Sequence, residues 1–225
     1  MREILEKFGN FFKRGKILYF PGCSTLVEIP HIAQNYEALL NSAGISFVKL
    51  NEVNCCGGHC LEGGYRDDFE KIREKNMALF REQQITKIIT NDPSCYLIFK
   101  EHYSLPIEYA PIALTKAGYV PSKSRSETVF FHDECFLDHN DESMQNVRKM
   151  LEQKGFILSV PSMINSKCCG AGGLLPINNP LLAKNIAEKL VKAVNMKIIT
   201  SSPLCYSHLK EAGADILELS EVLDS

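Results

Sequence analysis

The sequence predicts an α/β protein made of two tandem duplicated halves, each a parallel sheet with helical crossovers, the halves related by pseudo-twofold symmetry. Three observations carry this. Short apolar runs alternate with amphipathic helical stretches, the signature of parallel βαβ units. The order of these elements recurs about 110 positions later, with Lys87-Ile88-Ile89-Thr90, Pro93, Cys95 and Tyr96 matched by Lys197-Ile198-Ile199-Thr200, Pro203, Cys205 and Tyr206. Every repeated cysteine stands between a strand and the helix that follows it.

The elements justify themselves in order. Residues 1–15 put Ile4, Leu5, Phe8, Phe11 and Phe12 at helical spacing with Lys7, Lys13 and Arg14 beside them, an amphipathic segment. It packs on the protein's own core or docks on a partner or membrane surface; the residues leave both open. Lys16–Phe20 reads as a buried strand ending in the turn Pro21-Gly22-Cys23. Ile29, Ile32, Ala33, Tyr36, Leu39, Leu40 and Ala43 mark a helix stopped by Gly44. Ser46–Leu50 is expected as the second strand. The loop Cys55-Cys56-Gly57-Gly58-His59-Cys60 follows, then a charged helix from about Arg66 to Gln84 burying Phe69, Ile72, Leu79 and Phe80. Lys87–Thr90 and Ile107–Tyr109 are the third and fourth strands. Polar Pro121–Ser126 links the halves, so the first repeat spans 16–120 and the second 127–225.

The second half follows the same plan. Strand Thr128–Phe131 leads to His132-Asp133-Glu134-Cys135, and a helix from Ser143 to Lys154 is closed by Gly155. Strand Phe156–Val160 precedes the loop Cys168-Cys169-Gly170-Ala171-Gly172-Gly173. A helix from Pro180 to Val194, strand Lys197–Thr200 and strand Asp215–Leu217 complete it.

Composition narrows the function. A chain of 225 residues, 45% hydrophobic and 23% charged, can bury a sizeable core. With 25 basic and 27 acidic residues there is no global positive field, so nucleic acid is not expected as a partner. No apolar run reaches the roughly 18 residues of a membrane span, and no secretory signal is evident, so the expected location is the cytoplasm, with peripheral association at the inner membrane face through residues 1–15 or a partner. Nine cysteines in such a chain point to metal or redox chemistry and not to a disulfide framework.

Parallel α/β sheets hold ligands at the carboxyl ends of their strands. The repeated cysteines all fall there, which gathers Cys23, Cys55, Cys56 and Cys95 in the first half and Cys135, Cys168, Cys169 and Cys205 in the second. The helices beginning beside them direct amide NH groups and positive dipole ends at the same place, which favours thiolates and an anionic cluster. Four converging thiolates suit zinc or an iron-sulfur cluster. Adjacent cysteines without C-x2-C knuckles fit a polynuclear cluster better, of 4Fe-4S type, one or two per chain, with zinc in one half as the alternative. His59 and Cys60 have no counterpart in the second loop. Cys60 is either a bystander or a further ligand. His132 and Asp133 either tune a cluster by hydrogen bonding or, the favoured reading, end a strand.

The arrangement C-x31-CC-x38-C, then C-x32-CC-x35-C, with Tyr19-Phe20-Pro21-Gly22-Cys23, Cys55-Cys56-Gly57-Gly58, His132-Asp133-Glu134-Cys135 and Ser202-Pro203-Leu204-Cys205-Tyr206, resembles the cysteine-rich CCG domain of the heterodisulfide reductase iron-sulfur subunit. It is also similar to the iron-sulfur subunits of glycolate oxidase, anaerobic glycerol-3-phosphate dehydrogenase and the lactate-utilisation complex. The resemblance implies an electron-transfer subunit of an oxidoreductase, not an enzyme by itself. Such a subunit relays electrons between a flavoprotein dehydrogenase and a quinone or thiol/disulfide acceptor, with a flavoprotein and/or a ferredoxin-like iron-sulfur subunit as partner. A zinc-stabilised scaffold without redox function is the competing reading. The heterodisulfide reductase pattern ends each half in C-x2-C. Here Asp92 and Ser202 replace the first of those cysteines, which moves the match toward the glycolate-oxidase and lactate-utilisation relatives.

Overall fold

The computed structural model describes residues 15–52, 55–133, 135–137, 142–159 and 168–223. The amphipathic reading of residues 1–15 therefore lies outside the described residues for all but Gly15, as do Glu134 and Val160.

The first half begins with β1 (Lys16–Tyr19), followed by α1 (Cys23–Glu28) and α2 (Pro30–Ser42). After the paired cysteines come α3 (Gly58–Glu62), α4 (Arg66–Glu82), β2 (Ile85–Thr90), α5 (Pro93–His102), β3 (Ile107–Tyr109) and α6 (Ala110–Lys116). The second half runs β4 (Glu127–His132), α7 (Glu142–Lys154), β5 (Phe156–Leu158), α8 (Leu175–Asn178), α9 (Pro180–Val194), β6 (Ile198–Thr200), α10 (Pro203–Glu211), β7 (Ile216–Glu218) and α11 (Leu219–Leu223).

All paired strands are parallel, in the orders β1-β2-β3 and β5-β4-β6-β7. The expected strand at Ser46–Leu50 is reduced to a single parallel bridge, Leu18 with Val48. Val48 donates its amide to the Ile17 carbonyl at 2.8 Å and accepts from the Tyr19 amide at 3.0 Å. The segment lies on the outer edge of the sheet, and polar Lys49, Asn51 and Glu52 let it leave the ladder at once. Counting that bridge, both halves share one strand order, the second strand outside the first and the third and fourth on its other side. This order places a topological switch point between the first and third strands, where a doubly wound sheet opens a crevice.

Alternation along the strands builds two cores. Leu18 and Phe20 face one side of the first sheet, with Phe69, Phe80, Ile88 and Phe99. Tyr19 and Ile89 face the other, and there the core runs without a break into the second half through Val129, Phe131, Ile199 and Leu209. Buried hydroxyls also cross between the halves: Tyr109 donates to the Ser201 carbonyl at 2.8 Å and Tyr36 to the Glu218 carboxylate at 3.0 Å. In α4 the buried positions include Asn76 as well as Phe69 and Phe80, while Ile72 and Leu79 are only partly covered. Asn76 is inside because its amide donates to the Cys55 carbonyl and to the Tyr103 hydroxyl, both at 3.0 Å. It thereby ties the cysteine loop to the core, as a satisfied buried amide must.

Candidate metal centre

The turns after the strands position the sulfurs. Cys23 opens α1 directly beyond β1, and Cys95 and Cys205 sit in the first turns of α5 and α10, beyond β2 and β6. The N-caps of those two helices are the residues that stand where the heterodisulfide reductase pattern has a further cysteine. Asp92 Oδ1 accepts from the Ser94 and Cys95 amides at 2.8 and 3.2 Å, and Ser202 Oγ accepts from the Cys205 amide at 3.3 Å. Each therefore satisfies amides that a helix start leaves free, which accounts for both residues without metal ligation.

The paired cysteines share one loop geometry. The residue after each pair, Gly57 or Gly170, has a φ of +90° or +87°, the left-handed region that a side chain disfavours. That turn folds the amide of Gly57 onto Cys55 Sγ at 3.2 Å, and the amide of Gly170 onto Cys168 Sγ at 3.4 Å. A Cβ on Gly57 would lie 2.7 Å from the Phe69 ring. The glycine is thus required both by backbone conformation and by space.

The structure gathers the first four predicted cysteines into a hydrogen-bonded series, Cys23 to Cys55, Cys55 to Cys56 and Cys56 to Cys95, with His59 joined to Cys23 at its outer end. Cys56 and Cys95 are buried; Cys23 and Cys55 are partly covered. The hydrogen bond to Cys55 pushes the Cys23 thiol up to about 12, burial adding to it against the pull of His59. In Cys95 the Cys56 hydrogen bond pulls down, but burial and the nearby Asp92 carboxylate prevail and the thiol also reaches about 12. These thiols hold protons that a metal would have to displace. Cys60 is partly buried and packs against the first-half core.

The second set divides differently. Cys135 and Cys168 are exposed and hydrogen-bonded to each other, whereas Cys169 and Cys205 are buried with their sulfurs 3.2 Å apart. Hydrogen bonding lowers both thiols of the pair, Cys168 through Cys135, and Cys169 through Cys205 and then His132. His132, favoured in the sequence as a strand end, ends β4 but is also 1% exposed, and its ligating nitrogen lies within 4.8 Å of both buried sulfurs. Neither His132 nor His59 has a counterpart in the other repeat, so the duplication gives no signal for either.

The two sets are not isolated from each other. A cavity of about 200 Å³ opens on Cys23, Cys55, Cys56 and Cys95, and its opposite wall is Phe136 with the loop from Ala171 to Leu174 in the second half. The glycine-rich loop that follows one cysteine pair thus closes over the other set.

The model of a cysteine-rich domain family, CCG, matches residues 17–100 and again 129–210. The chain belongs to the CCG cysteine-rich domain family. Among its relatives, an uncharacterised iron-sulfur protein of Methanococcus maripaludis is 23% identical over 219 residues, covering 94% of this chain and 44% of that protein. A component of the dihydromethanophenazine:CoB–CoM heterodisulfide reductase of Methanosarcina acetivorans is 27% identical over 228 residues, covering 91% of this chain and 56% of that protein. The chain thus spans about half the length of these curated relatives. A crystal structure of a hypothetical protein from Helicobacter pylori aligns with a TM-score of 0.57 at 13% identity, over 93% of this chain and 48% of that one, and so shares the fold. Among the described residues no helix is long and apolar enough to cross a membrane.

Proposed function

We propose that this CCG protein is an iron-sulfur electron-transfer subunit of an oxidoreductase complex. The observation that carries the reading is the placement of the cysteines in both halves beyond the strands, four linked in series in the first and two hydrogen-bonded pairs in the second, with the first set opening on a cavity walled by the loop of the other. The donor set fits the group: soft thiolates, helix starts that favour negative charge, and glycine turns that let backbone approach closely. Cys23, Cys55, Cys56 and Cys95 would hold one cluster of 4Fe-4S type, and Cys135, Cys168, Cys169 and Cys205 a second metal centre, a cluster or zinc. When bound, an iron-sulfur cluster supplies a one-electron carrier. Around it, the Gly57 and Gly170 amides already donate toward sulfur, which stabilises thiolate charge, and Phe136 and Leu174 keep the cavity wall apolar. The partners that the family resemblance implies are a flavoprotein and/or a ferredoxin-like iron-sulfur subunit, with electrons passing to a quinone or a thiol/disulfide acceptor. Cytoplasmic location, peripheral to the membrane through such a partner, belongs to the same reading.

Anaerobic purification followed by a dithionite titration tests it. The expected result is a broad visible absorption that bleaches on reduction and returns on oxidation. A colourless protein that takes up no electrons would instead support a zinc-stabilised scaffold.

A further inference from the structure

The two sets of cysteines resemble each other in sequence more than in surroundings. The repeat offset of 112 positions that relates Cys23 to Cys135 sets His132 opposite Phe20. Phe20 is an ordinary core residue, 1% exposed and packed edge-on against Phe99 at 5.0 Å between ring centres. His132 occupies the same place in the second half and is equally buried, yet its Nδ1 has no hydrogen-bond partner among the described residues. A buried ring nitrogen without a partner is rare because it forfeits the hydrogen bond it had with water. Here the ring also lies beside Cys169 and Cys205, the three ligating atoms all within 4.8 Å of one another and all buried. His59 in the first half differs: it is half exposed, and its Nδ1 is 3.5 Å from Glu62.

We infer that His132 is a ligand of the second metal centre, which makes that centre a mixed imidazole–thiolate site while the first is bound by thiolates alone. The inference rests on the reading that the cysteine sets bind metal. Formation of the site is balanced simply: Cys168, Cys169 and Cys205 each lose a proton to solvent as sulfur binds, and neutral His132 donates a ring lone pair. Cys168, adjacent in the chain to Cys169, supplies a further sulfur. Imidazole with thiolate suits either a zinc ion or an iron of a cluster whose potential is raised by replacing thiolate with neutral nitrogen. The shared chemistry is a metal–nitrogen bond from this side chain.

The test uses the whole chain purified without oxygen from cells supplied with ¹⁵N-histidine. It is compared with His132→Phe, which installs the aromatic ring of the first half at this position, with His132→Cys, and with Cys169→Ser. For an iron centre, the reduced wild-type protein should show a strongly coupled nitrogen whose splitting changes with the isotope. For zinc, X-ray absorption should show nitrogen at about 2.0–2.1 Å beside sulfur at about 2.3 Å. His132→Phe should abolish the nitrogen signal and weaken retention of the second metal against a chelator at least ~10-fold, and His132→Cys should restore retention with an all-sulfur shell. A wild-type protein without coupled nitrogen at either metal, or a His132→Phe protein with unchanged metal content and spectrum, overturns the inference. If Cys169→Ser also keeps all its metal, the ligand set on which the inference rests has failed as well; if Cys169→Ser loses metal and His132→Phe does not, only the role of His132 has failed. The wild-type labelling measurement needs no variant to fold.

Discussion

At the scale of single residues, Glu218 and Gly57 make the sharpest claims. Glu218 is fully buried at the end of β7, accepting from Tyr36 across the two halves and from the Ser220 amide and hydroxyl, both at 2.6 Å. Burial pushes its carboxyl up to about 7, the Ser220 and Tyr36 hydrogen bonds only partly countering it. A carboxyl raised in the folded state binds a proton that the unfolded chain has already lost. Its contribution to stability is therefore complete below the unfolded value and is lost as pH rises through about 7. Denaturant titrations from pH 4.5 to 8 should show this loss, about 3 kcal/mol at most, and Glu218→Gln should flatten that part of the profile. An unchanged profile in the variant would show that another group is responsible. Gly57→Ala should cost more than about 2 kcal/mol, because a left-handed backbone and a contact with the Phe69 ring act together. Gly170→Ala should cost less, since a Cβ there would meet the Ala183 carbonyl at 3.1 Å rather than 2.7 Å; equal unfolding midpoints for the two variants would contradict the packing argument. Residues of this kind were hard to read from sequence. A glycine after two cysteines announces a turn, but Glu218 stands just beyond the expected strand Asp215–Leu217 with no signal of its own, and its partner Tyr36 comes from the other half.

At the scale of elements, the caps decide how the cysteine-bearing helices begin. Asp92→Ala should destabilise the protein by about 1 kcal/mol by freeing the Ser94 and Cys95 amides, while Asp92→Asn should stay within a few tenths. Both should keep the metal content of the wild type, because Asp92 serves the helix; loss of iron in Asp92→Asn would make it a ligand instead. Elements with strong local signals were legible: Pro180–Val194 from its proline start and apolar stripe, Lys87–Thr90 from its β-branched run, Ile107–Tyr109 from a short apolar run between turns. Elements that depend on neighbours were not. The six-residue α1 and five-residue α3 are too short to show a period, and a helix read only from Ile29 onward overlooks that Cys23 itself begins a helical turn. Ser46–Leu50 has the composition of a strand, but as an edge it pairs at one residue only. In the site, the repeat alone groups the cysteines, because each follows a strand or, for Cys55 and Cys56, the edge segment that bridges to one at Val48. His132 carries no such signal, because only the fold brings it beside Cys169 and Cys205.

For the whole molecule, the continuous core and the hydroxyls of Tyr36 and Tyr109 make the halves interdependent. Calorimetry should show one cooperative unfolding transition, and Tyr109→Phe, which leaves the buried Ser201 carbonyl without its donor, should lower its stability by about 1–3 kcal/mol. Two transitions, only one of them moved by Tyr109→Phe, would mean that the halves fold as separate units. The same interdependence gives the cavity its two walls, the first cysteine set on one side and the loop after the second cysteine pair on the other. Whether these loops hold an iron-sulfur cluster is decided by counting iron, zinc and acid-labile sulfide per chain in anaerobically purified protein. Iron and sulfide are expected in comparable amounts, reduced in both Cys56→Ser and Cys169→Ser if each half holds a cluster, and in Cys56→Ser alone if the second centre is zinc. Zinc without sulfide in the wild type, or iron and sulfide untouched by either substitution, would contradict it.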